Sequence, residues 1–219
     1  MDKTQGAALQ SNSSANALAA AALSLGLMPS YADQLAAMGY SAGDLKRSGF
    51  TAKEIATAAP RGSFDAADLS RAGYSAGDLK EAGFTAQQLR AAGYSAVAMR
   101  SAGFAAAELL RDAAFDAASL VSAEYCESEL KAAGLNAAAL RQACVPAPAL
   151  KAAGFICCEL WQAGYSASEV LAAQFTVHDM RLAGYSAQHL KATGCSAASL
   201  AAAGFRYCEQ NAHAPCFAR

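Results

Sequence analysis

An aliphatic residue recurs about every ten positions, at Leu35, Leu45, Ile55, Leu69, Leu79, Leu89, Met99, Leu109, Leu120, Leu130, Leu140, Leu150, Leu160, Val170, Met180, Leu190 and Leu200. In most of these units an aromatic stands five residues earlier, alanine and glycine take the small positions, and polar residues take the others. The unit Ser75 to Phe84, S-A-G-D-L-K-E-A-G-F, is representative. Two units break the spacing, with four residues added around Pro60 to Gly62 and one near Arg111.

Each unit predicts one helix of about seven residues with its start and stop built in. Ser75 followed three residues later by Asp78 is a capping-box pair, in which the hydroxyl takes the third helical amide and the acid reaches back. The pair recurs as Ser41 with Asp44, Thr51 with Glu54, Thr85 with Gln88, Ser166 with Glu169 and Thr176 with Asp179. Tyr74, just before the cap, and Leu79, at the fourth helical position, are placed for a hydrophobic staple. Gly83 stands where a helix ends on a left-handed residue, and Phe84 where such an ending makes its apolar contact. A helix this short is marginal alone in water, so its stability has to come from stacked neighbours. Alanine at the first and seventh helical positions and leucine at the fourth give each helix a narrow apolar stripe to stack with.

Within unbroken blocks the aromatic alternates, as in Phe64, Tyr74, Phe84, Tyr94 and Phe104, and again in Phe155, Tyr165, Phe175 and Tyr185. The structural period is therefore twenty residues. Two unequal helices per coil would explain the alternation, with phenylalanine fully buried and tyrosine holding its hydroxyl at a wet edge. The fold class expected is all-α: a solenoid of about seventeen short helices in ten-residue units, two units per coil. The array spans 30–205, preceded by a flexible, Ala-rich helical segment over 1–29 and followed by a capping tail over 206–219. About eight coils at helix-packing distance make an elongated array of about 65 to 85 Å.

The unit resembles those of tandem α-helical solenoid repeat proteins. A weaker resemblance is to pentapeptide-repeat proteins, because Phe or Tyr alternates with Leu every five residues. That resemblance implies a right-handed quadrilateral β-helix whose inward residues are small. Ala72, Ala82, Ala92, Ala153 and Ala163 satisfy the requirement, but Lys53, Gln87, His178 and Gln188 would be buried without partners. The stretch "SAGDLKEAGF" is also similar to the helices of SAP-type nucleic-acid binders, a likeness that mostly reflects shared capping chemistry.

Charge changes the picture little. The formal net charge of −1 gives no overall steering toward nucleic acid or acidic membranes. No apolar run reaches the roughly 18 residues of a membrane span. The stretch Ala17 to Met28, "ALAAAALSLGLM", could serve as a targeting segment, although the leader lacks a basic cluster. The cysteines follow no disulfide spacing and read as small apolar fillers, which points to an intracellular, cytoplasmic setting.

Candidate chemistry is sparse. A basic residue follows the core aliphatic at Lys46, Lys80, Arg90, Arg100, Lys131, Arg141, Lys151, Arg181 and Lys191, and Trp161 takes that place once. Stacked, the bases could form a ladder for phosphates or acidic protein surfaces. The competing reading puts each cation in its own last helical turn, where the helix dipole favours it. Trp161 is the candidate contact residue, since tryptophan is enriched in interface hot spots; the competing reading is a ring lying over its own coil. Cys195, Cys208, His213 and Cys216 are donor types suited to zinc, but their spacing matches no finger, and no metal or cofactor is expected. His178 and His189 read as helix-surface residues. No nucleophile elbow, phosphate loop or metalloprotease helix is present in the sequence. The expectation is a non-enzymatic structural or protein-interaction scaffold, such as a subunit of a larger assembly; the alternative is sequence-independent nucleic-acid binding along the basic ladder.

Overall fold

A computed structural model describes residues 28–58 and 64–206. The described residues form seventeen α-helices and no strand. They fall into two compact units divided after Phe115. Unit 1 holds α1 (Met28–Ala37), α2 (Ala42–Arg47), α3 (Ala52–Ala58), α4 (Ala66–Arg71), α5 (Ala76–Glu81), α6 (Ala86–Ala91), α7 (Ala96–Ser101) and α8 (Ala106–Arg111). Unit 2 holds α9 (Ala117–Ser122), α10 (Glu127–Ala132), α11 (Ala137–Gln142), α12 (Ala147–Ala152), α13 (Cys157–Gln162), α14 (Ala167–Ala172), α15 (Val177–Ala183), α16 (Ala187–Ala192) and α17 (Ala197–Ala202). The added residues around Pro60 to Gly62 lie outside the described residues.

The local signals operate as the residue pattern requires. In α5 the Ser75 hydroxyl accepts from the Asp78 amide at 3.1 Å, and the Asp78 carboxylate accepts from the Ser75 amide at 2.8 Å. Reciprocal bonds of the same kind open α2, α3, α6, α14 and α15 at the other five pairs named above. At the far end Gly83, with φ +90°, donates to the Lys80 carbonyl and Phe84 donates to the Leu79 carbonyl. Those two bonds define a Schellman stop. Most helices are six residues long, in both members of a coil, so the two are equal rather than unequal as the aromatic alternation suggested.

Helices two apart in the chain are packed neighbours. In unit 1, α1, α3, α5 and α7 form one stack, and α2, α4, α6 and α8 the other; unit 2 repeats the arrangement. One coil is therefore two helices and twenty residues. The core of each unit is its own column of aliphatics at the fourth helical position, Leu69 and Leu79 among them in unit 1 and Leu150 and Leu160 in unit 2, each 0% exposed. Buried alanines at the first position let the helix axes approach. The quadrilateral β-helix is thus overturned, and the reason is visible in Lys53, Gln87 and Gln188. A β-helix would turn them inward, whereas here they are exposed.

The aromatic alternation has a different cause from the one expected. Tyr74, Tyr165 and Tyr185 are buried rather than wet-edged and Tyr94 is half-buried, while Phe50, Phe104 and Phe155 are buried as expected and Phe64, Phe84 and Phe175 are half-buried. The Tyr185 hydroxyl donates to the Tyr165 carbonyl and the Tyr165 hydroxyl to the Val145 carbonyl, both at 2.7 Å and both twenty residues back. Tyr74 donates to the Phe50 carbonyl at 2.5 Å, and Tyr94 to the Tyr74 carbonyl. Tyrosine therefore appears every second unit because its hydroxyl fastens one coil to the one before. Burial pushes the hydroxyls of Tyr74 and Tyr185 up to about 12.

The extra residue near Arg111 is taken up within the stop of α8. Phe115 donates to the Leu109 carbonyl, six residues back instead of five, and Ala114 takes the left-handed conformation at φ 50°. The division between the two units falls directly after this widened stop. No described helix is long and apolar enough to cross a membrane.

Candidate functional site

The basic residues after the core aliphatics do not cap their own helices. Six of the nine reach along their stack to the end of the next helix. Lys80 donates to the Gly103 carbonyl at 2.5 Å and lies 4.5 Å from the centre of the Phe104 ring. Lys131 does the same to Gly154 at 2.5 Å and Phe155 at 4.3 Å, with Glu159 at 3.7 Å. Lys151 serves Gln174 at 2.7 Å and Phe175 at 4.7 Å. Arg141 donates to Ala163 at 3.0 Å over Tyr165, Arg90 donates to Ala113 over Phe115, and Lys46 donates to Gly73 over Tyr74. Each cation thus meets a helix C-terminus, the negative end of its dipole, and an aromatic face.

The remaining positions of the series vary. Arg181 lays its guanidinium 3.5 Å from where a side chain would start at Gly204, and its Nε is buried without a hydrogen bond. Arg100 is half-buried and Lys191 exposed. Trp161 is half-buried, not freely exposed, and occupies the same slot with an indole. Its Nε1 comes within 3.0 Å of the Cβ position of Gly184, and its ring meets Tyr185 edge-on at 4.5 Å and His189 at 5.8 Å. This slot also explains part of the glycine pattern. A Cβ on Gly164 would collide with Arg141 and one on Gly184 would press on Trp161, quite apart from the positive φ.

The sequence held one visible signal for this reach: the base and the stop residue it serves are separated by a recurring interval, twenty-three residues for Lys80, Lys131 and Lys151. The interval has meaning only once the coil is known to hold twenty.

The cysteines and histidines are dispersed. Cys157 is buried, and burial pushes its thiol up to about 11, with the neighbouring Cys158 adding to the effect. Cys195 takes a half-buried aromatic position with its Sγ 3.7 Å from the Thr193 hydroxyl, while Cys208, His213 and Cys216 lie outside the described residues. No group of three metal-ligand side chains occurs among the described residues. His178 Nδ1 stands 3.4 Å from the Ala203 carbonyl, and His189 Nδ1 accepts from the Ser186 amide at 3.4 Å, in the place of a capping acid. The hydroxyls of Ser41, Ser166 and Thr176 hold the carboxyls of Asp44, Glu169 and Asp179 below their ordinary range.

Two of the open grooves among the described residues lie over the aromatics. One, of about 370 Å³, lies over Phe50 and Tyr74 between Lys46 and Asp78. The other, of about 470 Å³, runs over Phe155, Cys158 and Phe175 and is edged by Ile156 and Leu182. Those two edge residues are 59% and 63% exposed, among the few large apolar side chains left open to solvent.

No curated protein and no solved structure matches the chain. A family model described as a decapeptide repeat region matches residues 39–110 and 157–212. The stretch between, 111–156, departs from the repeat at its helix stops and starts yet carries α9 to α12 with the same buried leucines. Ten-residue units, one helix each, run through both matched segments and the gap between them, and the chain belongs to the decapeptide repeat family.

Proposed function

We propose that this protein is a non-enzymatic structural or protein-interaction scaffold. The observation that carries the reading is the employment of the cations. Lys46, Lys80, Arg90, Lys131, Arg141 and Lys151 each donate to a carbonyl of their own array, so the ladder that phosphates would need is already committed to holding coils together. What remains on the outside is a repeating surface of exposed polar side chains, broken by the apolar rim of Ile156 and Leu182.

Fluorescence anisotropy with generic duplex DNA and single-stranded RNA, titrated with salt, tests the reading against nucleic-acid binding. The expected result is weak association without a steep salt slope. Tight binding whose logarithm falls steeply with the logarithm of salt would replace the scaffold with a polyanion binder. In parallel, photo-crosslinkers placed at Ile156 and Leu182 should trap a defined protein partner from the native source more strongly than crosslinkers placed at Gln87.

A further inference from the structure

The cation slot is left unfilled at two successive helices of unit 1. The residue that would serve α5 is Ala56, which precedes Gly83 by the same twenty-seven residues that separate Lys46 from Gly73. The residue that would serve α6 is Ser70, which precedes Gly93 by the twenty-three that separate Lys80 from Gly103. Neither side chain is long enough to reach. Where the slot is filled, a Cβ built on Gly73, Gly103 or Gly154 would meet a lysine Nζ; on Gly83 or Gly93 it would meet nothing within 4 Å. Tyr74, Phe104 and Phe155, under their lysines, are 5%, 7% and 3% exposed, whereas Phe84 and Tyr94, like Phe115 and Phe175 under their own cations, are half-buried.

Of the two vacancies the one at α6 is the better formed. The Tyr94 hydroxyl is fastened to the Tyr74 carbonyl, which fixes the ring before any visitor arrives. The Gly93 carbonyl stands at the end of a helix whose Schellman bonds, Gly93 to Arg90 and Tyr94 to Leu89, are in place. The chain itself shows six times what this pairing of carbonyl and ring accepts, and each time it is an ammonium or a guanidinium.

We propose that the Gly93 carbonyl and the Tyr94 ring form a docking site for a lysine or arginine side chain of a partner protein. The visiting cation would do from outside what Lys80 does from inside at Gly103. The proposal rests on the scaffold reading and refines it by naming the chemistry of one partner side chain. Its failure would leave that reading standing, because crosslinking at Ile156 and Leu182 interrogates a different surface in unit 2.

The test is an amide-resolved NMR titration of the full chain with N-acetyl-arginine methylamide and N-acetyl-lysine methylamide, with the uncharged N-acetyl-norleucine methylamide as control. The amides of Gly93, Tyr94 and Ser95 should shift with the two cationic probes, and the norleucine probe should bind about tenfold more weakly, the loss of one cation–π contact and its dipole partner. Ser70→Lys, which supplies an internal cation, should abolish the response and raise the melting temperature by about 2 °C or more. Equal response to norleucine, or an unchanged response in Ser70→Lys, overturns the site. If Ser70→Lys does not fold, Tyr94→Leu takes its place, and binding retained without the ring overturns it equally.

Discussion

Unit 1 and unit 2 build the same coil from sequences of different regularity. Among the described residues of unit 1 the left-handed stops from Gly39 to Gly103 are glycines, the stop of α3 lying outside them, and oxygen-bearing side chains start α2 to α7; α8, between Ala105 and Ala114, departs. In unit 2 the stops at Glu124, Cys144 and Gln174 hold φ near 61° without glycine, and Cys126, Pro146 and Ile156 start helices with no side-chain cap. Glu129 and Glu159 still reach back to the first amide, at 2.9 and 2.8 Å, so half of the capping box survives there. Leu130, Leu150 and Leu160 are nonetheless 0% exposed, as Leu79 is. Each cap or stop is worth about 1 kcal/mol, while a buried leucine is worth about 2 to 5 when truncated to alanine. Stacking therefore sets the register in both units, and the local signals may be lost one at a time.

The comparison breaks first if the core is not equivalent. Leu79→Ala in unit 1 and Leu150→Ala in unit 2 should each cost about 2 to 5 kcal/mol in urea denaturation. A loss below about 1 kcal/mol in either would mean that its unit is not held by the aliphatic column. Next come the glycines, which should separate by what lies above them. Gly164→Ala should cost about 2 kcal/mol, because the new Cβ strikes Arg141 as well as adopting a left-handed backbone; Gly83→Ala meets open space and should cost about 1. Repeating Gly164→Ala in an Arg141→Ala background should close that gap.

The tyrosines sharpen the comparison across pH. Tyr185→Phe should cost about 1.5 kcal/mol, since the buried Tyr165 carbonyl loses its donor. Because the folded state raises the hydroxyls of Tyr74 and Tyr185 to about 12 from an ordinary value near 10, folding favours their neutral forms. Their contribution is complete below pH 10 and is lost as pH rises toward 12. The tyrosinate absorbance that Tyr74→Phe and Tyr185→Phe remove should appear together with the circular dichroism change over that window, and its appearance at pH 10 with the fold intact would contradict the buried bonds. The smallest effect is a gain. Gln174→Gly should stabilise unit 2 by about 0.5 to 1 kcal/mol by relieving a left-handed glutamine, while the Lys151 bond to the backbone carbonyl at that position is kept.

The sequence was most informative where the physics is local. The capping boxes, the Schellman glycines, the extra residue near Arg111 and the twenty-residue period all follow from residues within one or two units of each other. Asp65 with Asp68 forms a further box, at 2.8 and 3.2 Å, that the Ser/Thr pattern passed over although aspartate caps as well as serine does. The destinations of Lys80 and Tyr185 were not legible, because each lies a whole coil away and depends on which helices become neighbours. Trp161 shows the limit clearly. Its type suggested a contact with another molecule, and only the fold reveals that Gly184 and Tyr185 already lie beneath it.

The fastenings between coils have a direction. Cations reach forward to carbonyls some twenty-three residues later, and tyrosine hydroxyls reach back to carbonyls twenty residues earlier. On a ribosome, Lys80 leaves the exit tunnel ahead of Gly103 and is ready when that carbonyl emerges, while Tyr185 emerges to find the Tyr165 carbonyl already waiting. A coil fastened in this way is born between a hand held out from the preceding one and a hook of its own, which suits a polymer that is added to one turn at a time and never needs its far end in order to begin.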